Sequence, residues 1–368
     1  MKLLNYAPFL LPALIFGGMK FFAIPPSKPT KTSDDGSHFK RDFRLRSPYE
    51  RLQGQLLIDT SDSVLGEITV YRSAIRTTFR GREFVAIERE AERLRGTPAK
   101  FGDGSFKIDA FYGGILAMDH ETEANFREYL AIHREWEAAR PDSLTRQVAL
   151  AMLLTEYAWF ARGSGWSNTV TEEGWRLMKE RLNKASQVLI SASKFKEKDP
   201  AWFGAALRVG LGLGFEAKAM DFIVTNAKKD FPDYWPVDCA RAYSLLPRWF
   251  GEPGDWEKYA EIASTNAEGA GAETYARIAI DLMNNHGDLF RESFVSWPRT
   301  KEGLEVMMER YPDSMVIRSQ AAKLSAMAGD FRFAKERFDE LESQWLGAVW
   351  SDADEFVIYR TAARRGRW

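Results

Sequence analysis

The stretch LTRQVALAMLLTEYAWFARGSGWSNTV, residues 144–170, decides the fold. Residues 144–161 carry Ala, Leu and Met on nearly every face, with no β-branched run, and so predict a buried helix. The segment is short for a membrane span and is interrupted by Glu156. Gly163 stands where a left-handed C-terminal cap is expected, and Arg162 lies in the last turn, where a cation complements free carbonyls. Trp166 is placed to pin the segment that follows.

The same stretch is tested for chemistry. A Walker loop needs Gly-x4-Gly-Lys-Ser/Thr, and a Rossmann turn needs a third glycine where Asn168 stands. A nucleophile elbow needs Gly-x-Ser-x-Gly, but Ser164 has Gly163 and Gly165 as immediate neighbours. The Arg162–Trp166 element (Arg162, Gly163, Ser164, Gly165, Trp166) is therefore expected to be a helix cap.

Working outward, other helical segments share their openings. RPDSL, FPDYW and YPDSM each begin with Pro-Asp, and KDPAW reverses the order. Asp or Ser caps free N–H groups there, and Pro fits the first turn. The segment GDFRFAKERFDEL from Gly329 places Ala334 and Phe338 at the second-helix spacing of a tetratricopeptide repeat. From Gly81 the alanine recurs at Ala86 with Glu90 in the aromatic position, and from Gly254 it shifts to Ala260. The expected fold is all-α: an α-solenoid-like stack of degenerate tetratricopeptide-like helix pairs, preceded by an N-terminal hydrophobic helix. A small hairpin is expected in QLLIDTSDSVLGEITVY before the first helix.

The order WFARGSGWSNTV, GWRLMKERLNKASQVL, DPAWFGAAL, FPDYW and LPRWFGEPGDWEKYA resembles a bacterial family of helical proteins carrying a domain of unknown function. The resemblance runs over roughly residues 72–350. It implies a tetratricopeptide-like fold and brings no activity and no catalytic residues.

The bulk numbers suit a large globular body: 368 residues, 45% hydrophobic. A formal net charge of −1 gives no global field that selects nucleic acid. Cys239 is the single cysteine, so neither an intrachain disulfide nor a cysteine-rich zinc site can form.

Residues 3–24 are apolar almost throughout and read as a signal or anchor. Cleavage after Ala23 would place Phe21 where a small residue is wanted, so an uncleaved anchor is expected. Lys28, Lys31, Lys40, Arg41 and Arg44 favour a cytoplasmic body, whereas N-terminal hydrophobic segments more often accompany export. Export is the orientation adopted. The expected organisation is an anchor over 1–24, a polar linker over 25–63 and a helical-repeat domain over 64–368.

Elsewhere the chemistry is thin. His38, His120, His133 and His286 lack helical ligand spacing, and HETE has no second histidine. DGSFKID and SDADEF lack the full pattern of a calcium loop. No cofactor and no metal is called for. Glu156 inside an apolar helix is a candidate general acid for an exported cell-wall lytic enzyme; the simpler alternatives are an ion pair with an arginine of a neighbouring helix, or a place facing solvent. The arginines of the tail YRTAARRGRW suit an acidic partner, anionic lipid or a frayed helix end. The function expected first is a non-enzymatic scaffold that binds a protein or peptide and is held at a membrane by its N-terminus.

Overall fold

The computed structural model describes residues 57–61, 65–165, 167–266 and 269–368. The N-terminal apolar segment and Trp166 lie outside the described residues. No described helix is long and apolar enough to cross a membrane. The described chain is all-helical, with 16 α-helices and one pair of two-residue strands, and divides into two units.

The first unit, residues 66–313, begins with α1 (Gly66–Arg80), α2 (Phe84–Gly96), α3 (Lys107–Ile115) and α4 (Glu123–Ala139). It continues through α5 (Leu144–Arg162), α6 (Glu172–Ala192), α7 (Pro200–Leu213), α8 (Ala217–Asp230) and α9 (Pro236–Ser244). The remainder is α10 (Asp255–Ser264), α11 (Ala272–Met283), the single turn α12 (Leu289–Glu292) and α13 (Trp297–Arg310).

Helix α5 is the buried helix that its composition predicts. Val148, Ala149, Ala151, Leu153 and Ala158 are fully buried. It packs antiparallel against α6: Gly174 lies against the Ala161 carbonyl, and Arg181 donates to the Tyr157 carbonyl one turn earlier. The aromatic core beside it stacks Phe84 on Trp136 and packs Phe79 against Tyr129 and His133.

Most of the expected caps form. Ser143 accepts from the Arg146 N–H, and Asp199 accepts from the Ala201 N–H with Pro200 in the first turn. At the FPDYW opening the outcome differs. A backbone turn at Tyr234 and Trp235 separates Asp233 from Pro236, and α9 starts without a side-chain cap.

The hairpin expected before α1 does not form. Asp59 accepts the Ser61 N–H at 2.9 Å, a local turn that ends the strand. From Gly66 the chain is helical, with Tyr71, Ile75 and Phe79 at intervals of four on its inner face. The alanine register expected after Gly81 is also corrected. Ala86 is exposed, and α2 buries Ile87, Ala91 and Leu94 instead. After Gly254 the shifted Ala260 is buried, as is Trp256.

Two glycines set close helix approaches. A Cβ at Gly114 would stand 2.8 Å from both the Arg72 carbonyl oxygen and the Ile75 Cβ on α1. At Gly303 on α13 it would collide with the Ala272 carbonyl oxygen and stand 2.7 Å from the Ala276 Cβ of α11. Backbone cannot swing aside as a side chain can. Gly303→Ala is expected to lose about 1–3 kcal/mol in urea unfolding, the usual cost of overpacking. Unchanged stability would show that α11 and α13 separate freely.

In the second unit, α14 (Met315–Met327), α15 (Phe331–Leu341) and α16 (Ala353–Arg365) enclose a core of Ala322, Ala326, Phe338, Trp350 and Phe356. Ser314 caps α14 and Asp330 caps α15 after the positive-φ turn at Gly329. Ala334 and Phe338 are both fully buried. The strand β1 (Ile58–Asp59) pairs in parallel with β2 (Gln344–Trp345). The arginine tail is more ordered than a frayed end. Arg360 is buried, Arg364 meets Asp339 at 3.5 Å, and Gly366 caps the helix in the left-handed region. Trp368 then packs edge-on against Tyr359.

Candidate functional site

The first candidate element is the turn after α5. Gly163 adopts φ 73°, which favours glycine, and its N–H donates to the Trp159 and Phe160 carbonyls. Arg162 folds over the turn and donates from Nη1 to the Gly163 and Gly165 carbonyls at 3.1 and 2.9 Å. Ser164 and Gly165 are exposed, and Ser164 has no hydrogen-bond partner among the described residues. The turn thus lies at a helix C-terminus, where carbonyls project and the dipole is negative. A phosphate cradle needs the opposite end.

Trp159, one turn before the cap, organises what surrounds it. The Arg162 guanidinium lies 5.8 Å from its ring centre and 5.4 Å from that of Trp175 on α6. The Arg208 guanidinium on α7 lies 5.6 Å from the same Trp159 ring. Trp249, in the connection between α9 and α10, meets Trp159 edge-on at 5.8 Å and packs against Tyr243 of α9 at 6.0 Å. Arg248 lies over the Tyr243 ring at 5.1 Å and donates to the Asn285 side-chain oxygen. The four arginine–ring contacts each bring a cation near a π-system, worth about 0.5–1 kcal/mol where water reaches it.

Glu156 joins this cluster. Arg208 Nε lies 3.1 Å from Glu156 Oε1 and its Nη2 3.2 Å from Oε2, with the side chains 25% and 33% exposed. Exposure of that order screens the pair, so Glu156→Gln is expected to cost less than about 1 kcal/mol in thermal unfolding. A loss of several times that would mean that the pair is effectively buried.

The cluster is rich in donors. The indole N–H groups of Trp159 and Trp249 and the Asn285 Nδ2 are shielded from solvent without a partner. Arg162 meets no carboxylate among the described residues, and burial draws its guanidinium below the usual range. Beside it Trp175 is 41% exposed. Sequence reasoning singled out Arg162 and Glu156 separately and missed Trp175, Arg208, Tyr243, Arg248 and Trp249. The signal available was the richness in tryptophan, but nothing in the order of residues says which rings meet.

A second polar cluster lies in the interior. Asp199 accepts the Tyr112 hydroxyl at 2.6 Å, Arg95 Nη1 at 3.3 Å and the Ala201 N–H at 2.9 Å. Nearby, the Tyr234 hydroxyl donates to Asp109, whose carboxyl is pushed up to about 7 by burial. Asp109 closes the stretch DGSFKID, where Asp103 is engaged by the Ser105 N–H and hydroxyl. These groups tie α2, α3, α7 and the approach to α9 together, with Thr145 and Glu197 adding to the contacts of Arg95.

Fold and site together define an all-α protein with a tryptophan–arginine cluster at its surface. Residues 71–214 match the family described as a domain of unknown function, DUF4034. The match runs from α1 to the Gly214 cap of α7, so it contains Trp159, Arg162, Trp175 and Arg208 and stops short of Tyr243, Arg248 and Trp249. None of the curated proteins matches the chain, and none of the solved structures does.

Proposed function

We propose that the chain is a degenerate helical-repeat scaffold that binds a protein or peptide through the surface around Trp159, held at a membrane by its N-terminal apolar segment. The observation that carries the binding role is the Trp159 cluster: exposed aromatic rings beside guanidinium groups that meet few carboxylates. Tryptophan and arginine are among the residues that most often anchor protein interfaces: the indole offers a large rigid apolar face, and the guanidinium a planar fork of donors that also stacks on rings. Successive helices packed in pairs, such as α5 with α6 and α14 with α15, support the repeat reading. The tether rests on the composition of residues 3–24, and export remains the orientation favoured.

Two measurements test this. A photocrosslinking residue in place of Trp175 in the full chain should give a discrete adduct in membranes, and a control at exposed Ile262 should not. Absence of any adduct specific to position 175 overturns the binding surface. Reporter fusions after Thr30 decide which side of the membrane the body occupies, and activity only in soluble fractions removes the tether.

A further inference from the structure

The N-terminal apolar segment leads into the second unit of the body. Its first described strand, β1, is hydrogen-bonded to β2: the Ile58 N–H donates to the Ser343 carbonyl and the Thr60 N–H to the Trp345 carbonyl, each at 3.0 Å. Along the chain, the unit next to residues 3–24 is therefore the one built by α14, α15 and α16.

That unit has a local excess of positive charge where α16 ends. Arg360, Arg364, Arg365 and Arg367 follow closely on one another. Among the described residues, Asp339 of α15 is the carboxylate that meets them, and it is shared: Lys335 stands 2.6 Å from it and Arg364 3.5 Å. The Arg360 guanidinium has no partner on Nε or Nη1, and burial, with Arg364 nearby, draws it below its usual range. Arg365 and Arg367 are exposed and meet no carboxylate among the described residues. Arg332 is exposed and without one in the same way, next to Phe331, whose ring meets Trp368 edge-on at 6.1 Å. Arginines in the last turn complement the free carbonyls of α16. Arg367 lies beyond the Gly366 cap and Arg332 belongs to another helix, so the helix dipole accounts for neither.

A protein partner would want a desolvated apolar centre. Among the described residues of this unit, the exposed large apolar side chains are Ile58 and Trp368. Long exposed cations beside one tryptophan suit a surface that is wet and negative instead. The cations keep their water, the guanidinium fork matches phosphate, and an indole is at home at headgroup level.

The geometry points to anionic lipid headgroups as the partner of this surface: Arg332, Arg365 and Arg367 meet the phosphates of the membrane that holds the N-terminal segment, with Trp368 beside them. Each arginine contributes about fivefold to the contact, which is weak alone. The tether makes it sufficient by keeping the unit concentrated at the surface. This inference rests on the tether proposed above and adds the part of the body that the lipid meets.

The test adds the full chain from non-ionic detergent to preformed vesicles of phosphatidylcholine, alone or with about a third of phosphatidylglycerol. The vesicles are floated and treated with trypsin. Cleavage after Arg365, read by mass spectrometry as loss of residues 366–368, should be at least about tenfold slower on the phosphatidylglycerol vesicles, and added salt should abolish the difference. Arg332→Gln with Arg367→Gln keeps the Arg365 site and the ion pairs of Asp339. This double variant should unfold in urea as wild type does, and lose about twentyfold in the contact and with it the protection. Equal cleavage on the two kinds of vesicle, or full protection of the double variant, overturns the lipid contact. Equal protection by soluble polyglutamate also overturns it, and would assign the arginines to an acidic protein. Flotation with phosphatidylcholine alone reads the tether. If that fails while salt-sensitive flotation with phosphatidylglycerol remains, the tether falls and the lipid contact stands. Flotation with neither removes both.

Discussion

Asp199→Ala is expected to destabilise the protein by about 3–5 kcal/mol, the usual cost of removing one partner from a buried ion pair. The Asp199 side chain is fully buried and the Arg95 side chain 4% exposed. Burial raises the Asp199 carboxyl above its usual range, and Arg95, Tyr112 and the Ala201 N–H offset that only in part. Burial also pulls on Arg95, but Tyr112, Asp199 and Glu197 more than restore its charged form. The pair is therefore no large net source of stability while intact. Its loss is expensive because the buried Arg95 guanidinium is left with the half-exposed Glu197 and the Thr145 hydroxyl, and α7 loses its N-terminal cap. Asp199→Asn keeps the cap and the tyrosine contact, removes the charge, and should fall between the two. Urea unfolding by far-UV circular dichroism measures all three proteins, and an alanine variant within about 1 kcal/mol of wild type would show that Glu197, already 3.0 Å from Arg95 Nε, and water suffice for the guanidinium.

The second large effect lies at His133. His133 is 2% exposed, packs against both Phe79 and Trp136, and has no partner on either nitrogen. Burial, with Arg146 nearby, lowers its pKa to about 3. The sign follows from proton counting. Above the unfolded value of 6.5 both states are neutral, and the histidine adds no pH dependence. Below it the unfolded chain takes up a proton that the folded chain refuses until about pH 3, so stability falls as pH falls through that window. At pH 5 the loss amounts to about 2 kcal/mol at 1.36 kcal/mol per unit.

His133→Phe removes this and also the two unpaired nitrogens, each costing about 1–3 kcal/mol when desolvated. The variant should be the more stable protein at neutral pH, and its lead should widen by about 2 kcal/mol on going to pH 5. The comparison must be made as a difference between the two proteins. Asp109 and Asp281, both raised to about 7 by burial, contribute in the opposite sense as pH falls from 7 towards 4, and the difference cancels them. A lead that stays constant with pH would mean that the folded protein protonates His133 as readily as the unfolded chain does.

Much of the secondary structure is legible in the sequence because its causes are local. The uniform apolar character of residues 144–161 reports a helix surrounded by other helices, and Gly163 and Arg162 mark its end. Ser143, Asp199 and Ser314 sit within three residues of the N–H groups that they cap. Where local signals mislead, a neighbour distant in sequence is the cause. Residues 58 and 59 find their strand partner at 344 and 345, and Ala86 lost its expected place to Ala91 because the inner face of α2 is set by what packs on it.

The candidate site shows the same division. Arg162 and Glu156 stand out in the sequence because each is a charge in an apolar context, and composition supplies the tryptophans. Which rings and cations meet is another matter. Trp159, Trp175, Arg208 and Trp249 belong to three helices and a connection spread over some ninety residues, and helix packing alone brings them to one surface. Periodicity and capping act over a few residues, so the sequence by itself determined an all-α chain, its main helix boundaries and the role of the Arg162–Gly163 turn as a stop. Contact between side chains far apart in the chain depends on how helix faces settle against each other. Only the tertiary structure therefore decided that Glu156 belongs to Arg208, that Asp199 anchors Arg95, and that the turn after α5 borders a donor-rich aromatic surface.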